Sequence, residues 1–170
     1  DQREIIRKWV NEDVTEELQL FTPYKEVLDY YNAGLQVPDD VTIIWPNDNH
    51  GYIRNVPNDE ERQRSGGHGL YYHQSYLGPP GQTYLWQATT PLSLMASELN
   101  KAIEYGIDKL WVLNVGSFKT REIPIDFMMR LAWDIDSWEA SDVTGYLEDF
   151  AAKHFGEQYK EEIASVMIRY

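Results

Sequence analysis

Several polar side chains directly follow an apolar run in the first third of the chain. The run 41–44 is rich in β-branched residues and predicts a buried strand. The polar residues that come after it are Asn47, Asp48, Asn49, His50 and Arg54. Active sites of parallel α/β proteins lie at the carboxyl ends of strands, where loops can vary without disturbing the sheet. The cluster is therefore a candidate site, with a polar turn as the alternative, because Asn, Asp and Gly are common in turns.

The same arrangement recurs at two later segments. Residues 70–76 form a strand-like run that follows the glycine-rich stretch Ser65–Gly69 and carries His73 near its end. The apolar run 109–115 contains Asn114 and leads into a short polar segment. Three strand ends with Asn, Asp, His, Lys or Glu at or beside them favour a site over a single turn.

Two carboxylates in these positions could hydrolyse an acetal. Asp48 and Glu122 both follow predicted strands. Hydrolysis of a glycosidic bond needs one carboxyl group to protonate the leaving oxygen and another to activate water or attack carbon. We therefore predict that Asp48 and Glu122 are the catalytic residues. The alternatives are structural: Asp48 caps a turn, and Glu122 caps the helix that starts near Ile123, where the helix dipole stabilises it.

Basic and amide side chains beside these carboxylates could bind a substrate. Arg54 and Lys119 could hold an anionic group, since a guanidinium offers a bidentate fork to a carboxylate. Asparagine amides both donate to and accept from hydroxyl groups. The predicted substrate-binding residues are Asn49, Arg54, His68, Tyr72, His73, Asn114 and Lys119. Arg54 could instead pair with Asp59 or Glu60 on the surface.

Composition limits the classes of function. The net charge of −13 and a pI near 4.6 argue against nucleic acid as a partner. No apolar run approaches the length that spans a bilayer, and no signal peptide is visible. The absence of cysteine excludes disulfides and thiolate chemistry. We predict no cofactor and no metal; a metal-dependent hydrolase using His68 and His73 is a third reading that would need further carboxylate ligands.

The elements that would position these residues alternate between helix and strand. Apolar spacing predicts the following elements: helices at 3–20 and 24–31, strands at 41–46 and 70–76, a weaker strand at 84–88, a helix at 91–106, a strand at 109–115, a helix at 123–133, and a helix from about 142 to 168 broken at Gly156. Such alternation favours a parallel sheet covered by helices. Because a closed eight-stranded barrel needs about 250 residues, we predict an α/β fold that is a partial (β/α)8 TIM-barrel segment with a helical C-terminal extension.

The predicted organisation has two parts. Residues 1–135 form the partial TIM-barrel catalytic segment, and residues 136–170 form the helical extension. The chain opens on Asp1 in an already helical pattern, which is typical of an excised segment or a processed product. There is no internal repeat and no low-complexity tract.

Several blocks of the sequence together form a recognisable pattern: Tyr24–Val27, Tyr30–Tyr31, Gly34–Leu35, Val37–Asp40, Trp45–Arg54, Gly66–His73 and Asn114–Gly116 with Lys119 and Glu122. These blocks resemble glycoside hydrolase family 115, the xylan α-glucuronidases. They occur in the same order as in the family and extend over about residues 20–135. Family members carry them in the central barrel of a much larger multidomain enzyme.

The resemblance implies an inverting hydrolysis that removes α-1,2-linked glucuronic acid, or its 4-O-methyl ether, from xylan. The implied partners are glucuronoxylan or its oligosaccharides and the remaining domains of the full-length enzyme. An extracellular or periplasmic location follows from that substrate class, and the isolated chain is expected to be incomplete as an enzyme. The competing hypothesis is a non-catalytic carbohydrate-binding or structural module derived from the same barrel.

Overall fold

The computed structural model describes residues 2–76, 80–81, 85–136 and 142–169. In chain order its helices and strands are α1 (Gln2–Trp9), β1 (Leu20–Phe21), α2 (Glu26–Asn32), β2 (Thr42–Pro46), β3 (His68–His73), α3 (Leu92–Glu104), β4 (Ile107–Asn114), α4 (Glu122–Trp133), α5 (Val143–Phe155) and α6 (Lys160–Arg169). Short 3-10 turns lie at Glu61–Gln63 and Glu157–Tyr159. The fold is α/β, as predicted.

The four strands form one parallel sheet in the order β1-β2-β3-β4. Thr42 and Ile43 pair with β1, and the register of β2 against β3 runs from Ile43 opposite His68 to Pro46 opposite Tyr71. β2 is buried on both faces, as a β-branched run without alternation predicts. The predicted strands at 41–46, 70–76 and 109–115 are therefore confirmed in type and in parallel direction, within a few residues of their predicted bounds.

Two glycines let the strands approach one another. A Cβ at Gly69 would lie 2.5 Å from both the Leu110 carbonyl oxygen and Ile44 Cδ1. A Cβ at Gly66 would lie 2.4 Å from the Val41 carbonyl oxygen. Both distances are too short for any side chain, so glycine is required at position 66, before β3, and at position 69, within β3.

The predicted helix at 3–20 was wrong beyond Trp9. After α1 the side chains of Asn11 and Asp13 accept hydrogen bonds from backbone N–H groups two residues further along, at 3.0 Å in each case. Such bonds offer the backbone a turn in place of a helix. Gln19 then donates its side-chain amide to the Val14 carbonyl, and the chain enters β1. The apolar spacing that resembled a helix belongs to this turn and to an edge strand.

The later helices agree with the sequence patterns. α2, α3 and α4 lie at their predicted positions, and the long C-terminal helix divides into α5 and α6 at Gly156, whose φ of 106° favours glycine. The weaker strand predicted at 84–88 begins outside the described residues, and residues 85–88 are not in a strand.

The chain divides into two compact units. The first contains Asp1–Asp48, Ile53–Tyr72 and Ala102–Leu113, and the second contains Asn49–Tyr52, His73–Lys101 and Asn114–Tyr170. The core of the first unit is built on β2 and β3, where Ile43 and Leu70 are fully buried. The core of the second unit includes Met95 of α3 and Met128 of α4, both fully buried. The boundary predicted between residues 135 and 136 remains a prediction.

Candidate active site

In the first unit, Asp48 forms an ion pair with Arg54. Asp48 lies two residues past β2, and Arg54 Nε donates to its Oδ2 at 2.7 Å. The Asp48 side chain is about a quarter exposed, whereas the Arg54 side chain is 61% exposed. Arg54 therefore contacts the predicted catalytic carboxylate, a partner that sequence reasoning did not name.

The backbone before Asp48 is held by the sheet. Asn47 is buried, and its N–H donates to the Tyr71 carbonyl at 3.2 Å, which extends the β2–β3 ladder past Pro46. Asp48 thus follows the last ladder bond directly. The backbone directly after a fixed strand end has little conformational freedom. It therefore holds the Asp48 side chain in place, as a catalytic group requires.

His68 in the first unit is buried as a neutral imidazole. The Trp45 indole N–H donates to its Nδ1 at 3.1 Å, and its Nε2 lies 2.9 Å from the Glu61 carbonyl oxygen. Nδ1 therefore accepts and Nε2 donates, which fixes the tautomer. Burial lowers the pKa of His68, because desolvation disfavours the imidazolium. These bonds give His68 a structural role and leave no lone pair for a metal, while its predicted substrate contact stays a prediction.

Tyr72 in the first unit is fully buried. It is part of β3 and belongs to the core of the sheet. Its predicted contact with substrate is not tested by this position.

In the second unit, His73 and Asn114 end two strands that continue side by side. His73 is the last residue of β3, and Asn114 is the last residue of β4. The Gln74 N–H donates to the Asn114 carbonyl at 2.8 Å, so the backbones remain paired at that point. The His73 ring stacks on Tyr76 with centroids 4.6 Å apart and planes inclined by 22°. A stacked ring holds the imidazole orientation, which a substrate contact would need.

Glu122, also in the second unit, is the first residue of α4 and is exposed. The residue at the N-cap position is Arg121, whose side chain makes no capping hydrogen bond. Glu122 therefore lies in the first turn, where the helix dipole stabilises a negative charge. This geometry is compatible with both the catalytic role and the structural alternative.

The remaining predicted residues, Asn49 and Lys119, are exposed and lie in the second unit. Of the nine predicted site residues, the first unit holds Asp48, Arg54, His68 and Tyr72, and the second holds Asn49, His73, Asn114, Lys119 and Glu122. Within the first unit the structure brings Asp48 and Arg54 into direct contact. The predicted convergence of Asp48, Asn49, His73 and Asn114 on one side of the sheet stays a prediction.

Sequence reasoning missed one functional candidate, Arg121. Its side chain is fully buried, and burial lowers the pKa of the guanidinium. The side chain donates to the Gln74 carbonyl at 2.6 Å and to the Gln87 carbonyl at 3.0 Å. Arginine is rarely buried, and no periodicity in the segment indicated that this one would be.

A cavity of about 310 Å³ lies elsewhere in the first unit. Its lining residues are Tyr31, Gly34, Leu35, Gln36, Val37, Asp39, Glu60, Glu61 and Arg64. Tyr31 donates to Glu61 Oε1 at 2.7 Å, and burial together with that carboxylate raises the pKa of Tyr31 to about 12. None of the predicted site residues lines this cavity, so we do not assign the hydrolytic site to it.

Neither a metal-binding cluster nor a membrane-spanning helix occurs among the described residues. Within residues 2–76, 80–81, 85–136 and 142–169, no group of three or more His, Asp or Glu side chains is arranged to hold a metal ion. No helix in the described part of the chain is long and apolar enough to cross a membrane.

Comparison with known proteins identifies a class and then a family. One solved structure, described as a family GH115 4-O-methyl-α-glucuronidase with specificity for decorated arabinogalactans, matches with a TM-score of 0.92 and 47% sequence identity. The match covers 98% of this chain and 22% of that chain, so the chain spans about a fifth of the length of that glycoside hydrolase. The model of glycosyl hydrolase family 115 matches residues 1–170. The chain belongs to glycosyl hydrolase family 115. No curated protein matches it.

Proposed function

We propose that this chain contributes catalytic residues to a larger glycoside hydrolase that releases glucuronic acid, or its 4-O-methyl ether, from a polysaccharide. The observation that carries the proposal is the ion pair of Asp48 with Arg54 directly after a buried parallel strand, in a chain of family 115. This pair supplies a charged carboxylate at the kind of position where α/β enzymes hold their reactive groups.

The proposed reaction is hydrolysis with inversion. The Asp48 carboxylate, paired with Arg54, acts as general base and removes a proton from the attacking water. Glu122 acts as general acid and gives a proton to the leaving oxygen as the glycosidic C–O bond breaks. Water oxygen forms the new bond to the anomeric carbon from the opposite face. The sugar leaves as the inverted anomer, and the two carboxyl groups have exchanged protonation states.

The proposed substrate is α-1,2-linked glucuronic acid on xylan. The 47% identical neighbour is described as specific for decorated arabinogalactans, and such a polysaccharide is the second candidate for this chain. Both carry the same kind of charged sugar, which must be recognised by a cation. The polysaccharide backbones differ beyond that sugar, so both are needed in any assay.

The direct test is incubation of the full-length enzyme with glucuronoxylan and with glucuronic acid-decorated arabinogalactan. We expect release of glucuronic acid or its methyl ether, with the β-anomer appearing first by proton NMR. Initial release of the α-anomer would overturn inversion. No release from either polysaccharide would overturn the proposed activity. The isolated 170-residue chain is expected to be inactive on both.

The alternative is a non-catalytic carbohydrate-binding or structural module. The ion pair of Asp48 with Arg54 favours this alternative if its only effect is to neutralise the Asp48 charge within a turn. The two functions differ in one measurement: glucuronoxylan in the gel retards a binding module in affinity electrophoresis, but the module releases no sugar from it.

Arg54 and the substrate carboxylate give a further prediction. Arg54 is 61% exposed although it is paired through Nε, and we propose that its guanidinium also holds the uronic acid. Arg54→Ala should raise KM for glucuronoxylan fragments by roughly ten- to a hundredfold, since a charge-assisted contact is worth about 1.5–3 kcal/mol. A lower kcat is also expected, because Asp48 loses the partner that orients it. Steady-state kinetics on purified full-length variants would measure both.

Arg62→Ala is the matched control for Arg54. Arg62 forms an ion pair with Asp59 in the same connection between β2 and β3. Its removal should leave both kinetic constants within about twofold, as expected for a pair on the surface. If Arg54→Ala also left kcat and KM within about twofold of the wild type, Lys119 would become the proposed anion-binding residue.

A further inference from the structure

Arg121 carries a buried charge that is satisfied by neutral groups. The guanidinium is fully buried and donates to three backbone carbonyls, those of Gln74, Leu85 and Gln87, and to the Ser75 hydroxyl at 3.4 Å. Its Nε is buried and has no partner among the described residues. Burying an ion without an opposite charge is costly. Stability alone is therefore a poor reason for an arginine at this position.

The acceptors of Arg121 belong to two segments that its side chain joins. Gln74 and Ser75 directly follow β3 and hence His73, and Ser75 also donates to the Leu85 carbonyl at 3.3 Å. The neighbouring Thr120 donates to the Trp86 carbonyl at 2.6 Å from a left-handed backbone, with φ 69°. The segments 74–75 and 85–87 are thus both bound by the turn that precedes α4.

The first turn of α4 is anchored to the same structure. Gln74 Nε2 donates to the Pro124 carbonyl at 2.9 Å, and the Tyr146 hydroxyl donates to the Ile123 carbonyl at 2.9 Å. Arg121 is the residue directly before Glu122. One guanidinium therefore connects the backbone beside His73 to the backbone beside Glu122, within the second unit.

We infer that Arg121 is a positioning residue that fixes the first turn of α4, and with it Glu122, relative to the end of β3. The inference rests on the proposed function, in which Glu122 is the general acid. Arg121 touches neither substrate nor the reacting atoms; it acts through the carbonyls that it holds. The planar guanidinium offers five donors in a fixed fork that spans separate carbonyls, whereas an ammonium offers three donors from a single point. A small displacement of a catalytic group lowers the reaction rate, since about 1 Å can reduce it by a factor on the order of 10².

The test compares Arg121→Met and Arg121→Lys with Arg130→Met in the full-length enzyme. Arg130 lies on the same helix and pairs with Asp126 and Asp149 at 2.8 and 2.7 Å. We expect Arg121→Met to lower kcat by roughly ten- to a hundredfold while KM stays within about twofold. Arg121→Lys should recover part of kcat. Arg130→Met should lower the melting temperature without a comparable loss of kcat.

Hydrogen exchange gives a readout that does not need activity. In Arg121→Met the amides of residues 85–87 should exchange at least about tenfold faster than in the wild type, because local opening becomes easier. A folded Arg121→Met variant with wild-type kcat would overturn the positioning role, and unchanged exchange would overturn the connection between segments. Equal losses of kcat in Arg121→Met and Arg130→Met would assign Arg121 a general structural role. An inactive wild-type enzyme would instead overturn the proposed function and the catalytic half of the inference, while exchange would still decide whether Arg121 holds these segments.

Discussion

Replacing Asp48 with Asn is expected to lower the rate of glucuronic acid release by roughly 10²–10⁴-fold, the loss that removal of a general base produces. An amide keeps the shape of the carboxylate but can neither carry the negative charge nor take a proton from water. The hydrogen bond from Arg54 Nε, 2.7 Å in the wild type, can still be accepted by the amide oxygen. The fold should therefore persist. The measurement is kcat on glucuronoxylan oligosaccharides together with the melting temperature of the full-length variant.

Asp59→Asn is the matched control for Asp48. It makes the same chemical change in the same connection between strands, on a side chain that is 93% exposed. Its kcat should equal that of the wild type. If Asp48→Asn were folded and turned over normally, Asp48 would be a turn residue whose charge serves only its pair with Arg54.

The strands of the sheet were predictable because their signal is local. The β-branched run before Trp45 and the apolar runs ending at His73 and Asn114 each specify a buried strand through their own side chains. β1 was not predictable in this way. It has two residues and exists because Leu20 and Phe21 pair with Thr42 and Ile43, which is a tertiary interaction. The helical pattern of the N-terminal sequence ends earlier, after Trp9, where the Asn11 and Asp13 side chains accept hydrogen bonds within a turn.

The candidate site was predictable in composition but not in its contacts. Strand ends and residue types indicated Asp48, His73, Asn114 and Glu122. The sequence offered Asp59 and Glu60 only as alternative partners of Arg54, because several acids lie within reach, and the folded loop pairs it with Asp48. Arg121 was missed for a related reason: its acceptors are backbone carbonyls, which every residue has. A buried arginine becomes visible only when the chain brings those carbonyls together.

Replacing Glu122 with Gln is expected to lower hydrolysis of glucuronoxylan by roughly 10²–10⁴-fold, because the leaving oxygen would depart without a proton. The structural alternative, in which Glu122 only stabilises the helix, predicts a much smaller loss of hydrolysis rate. As the first residue of α4, Glu122 would contribute about 0.3–1 kcal/mol of stability through the helix dipole. Glu161→Gln is the matched control, since Glu161 is an exposed carboxylate in the first turn of α6. It should show the small stability change and no loss of kcat.

Substrates with different leaving groups distinguish the roles of the two carboxylates. The phenolate of an aryl glucuronide made from an acidic phenol departs without protonation, so a general acid matters little for that substrate, whereas water must still be activated. Glu122→Gln should therefore retain most of its activity on such an aryl α-glucuronide, while Asp48→Asn should lose activity on both aryl and polysaccharide substrates. The reverse pattern would exchange the two roles. Comparable turnover of glucuronoxylan by Glu122→Gln, Glu161→Gln and the wild type would remove Glu122 from the reaction, and the proton donor would then be sought in the part of the enzyme outside this chain.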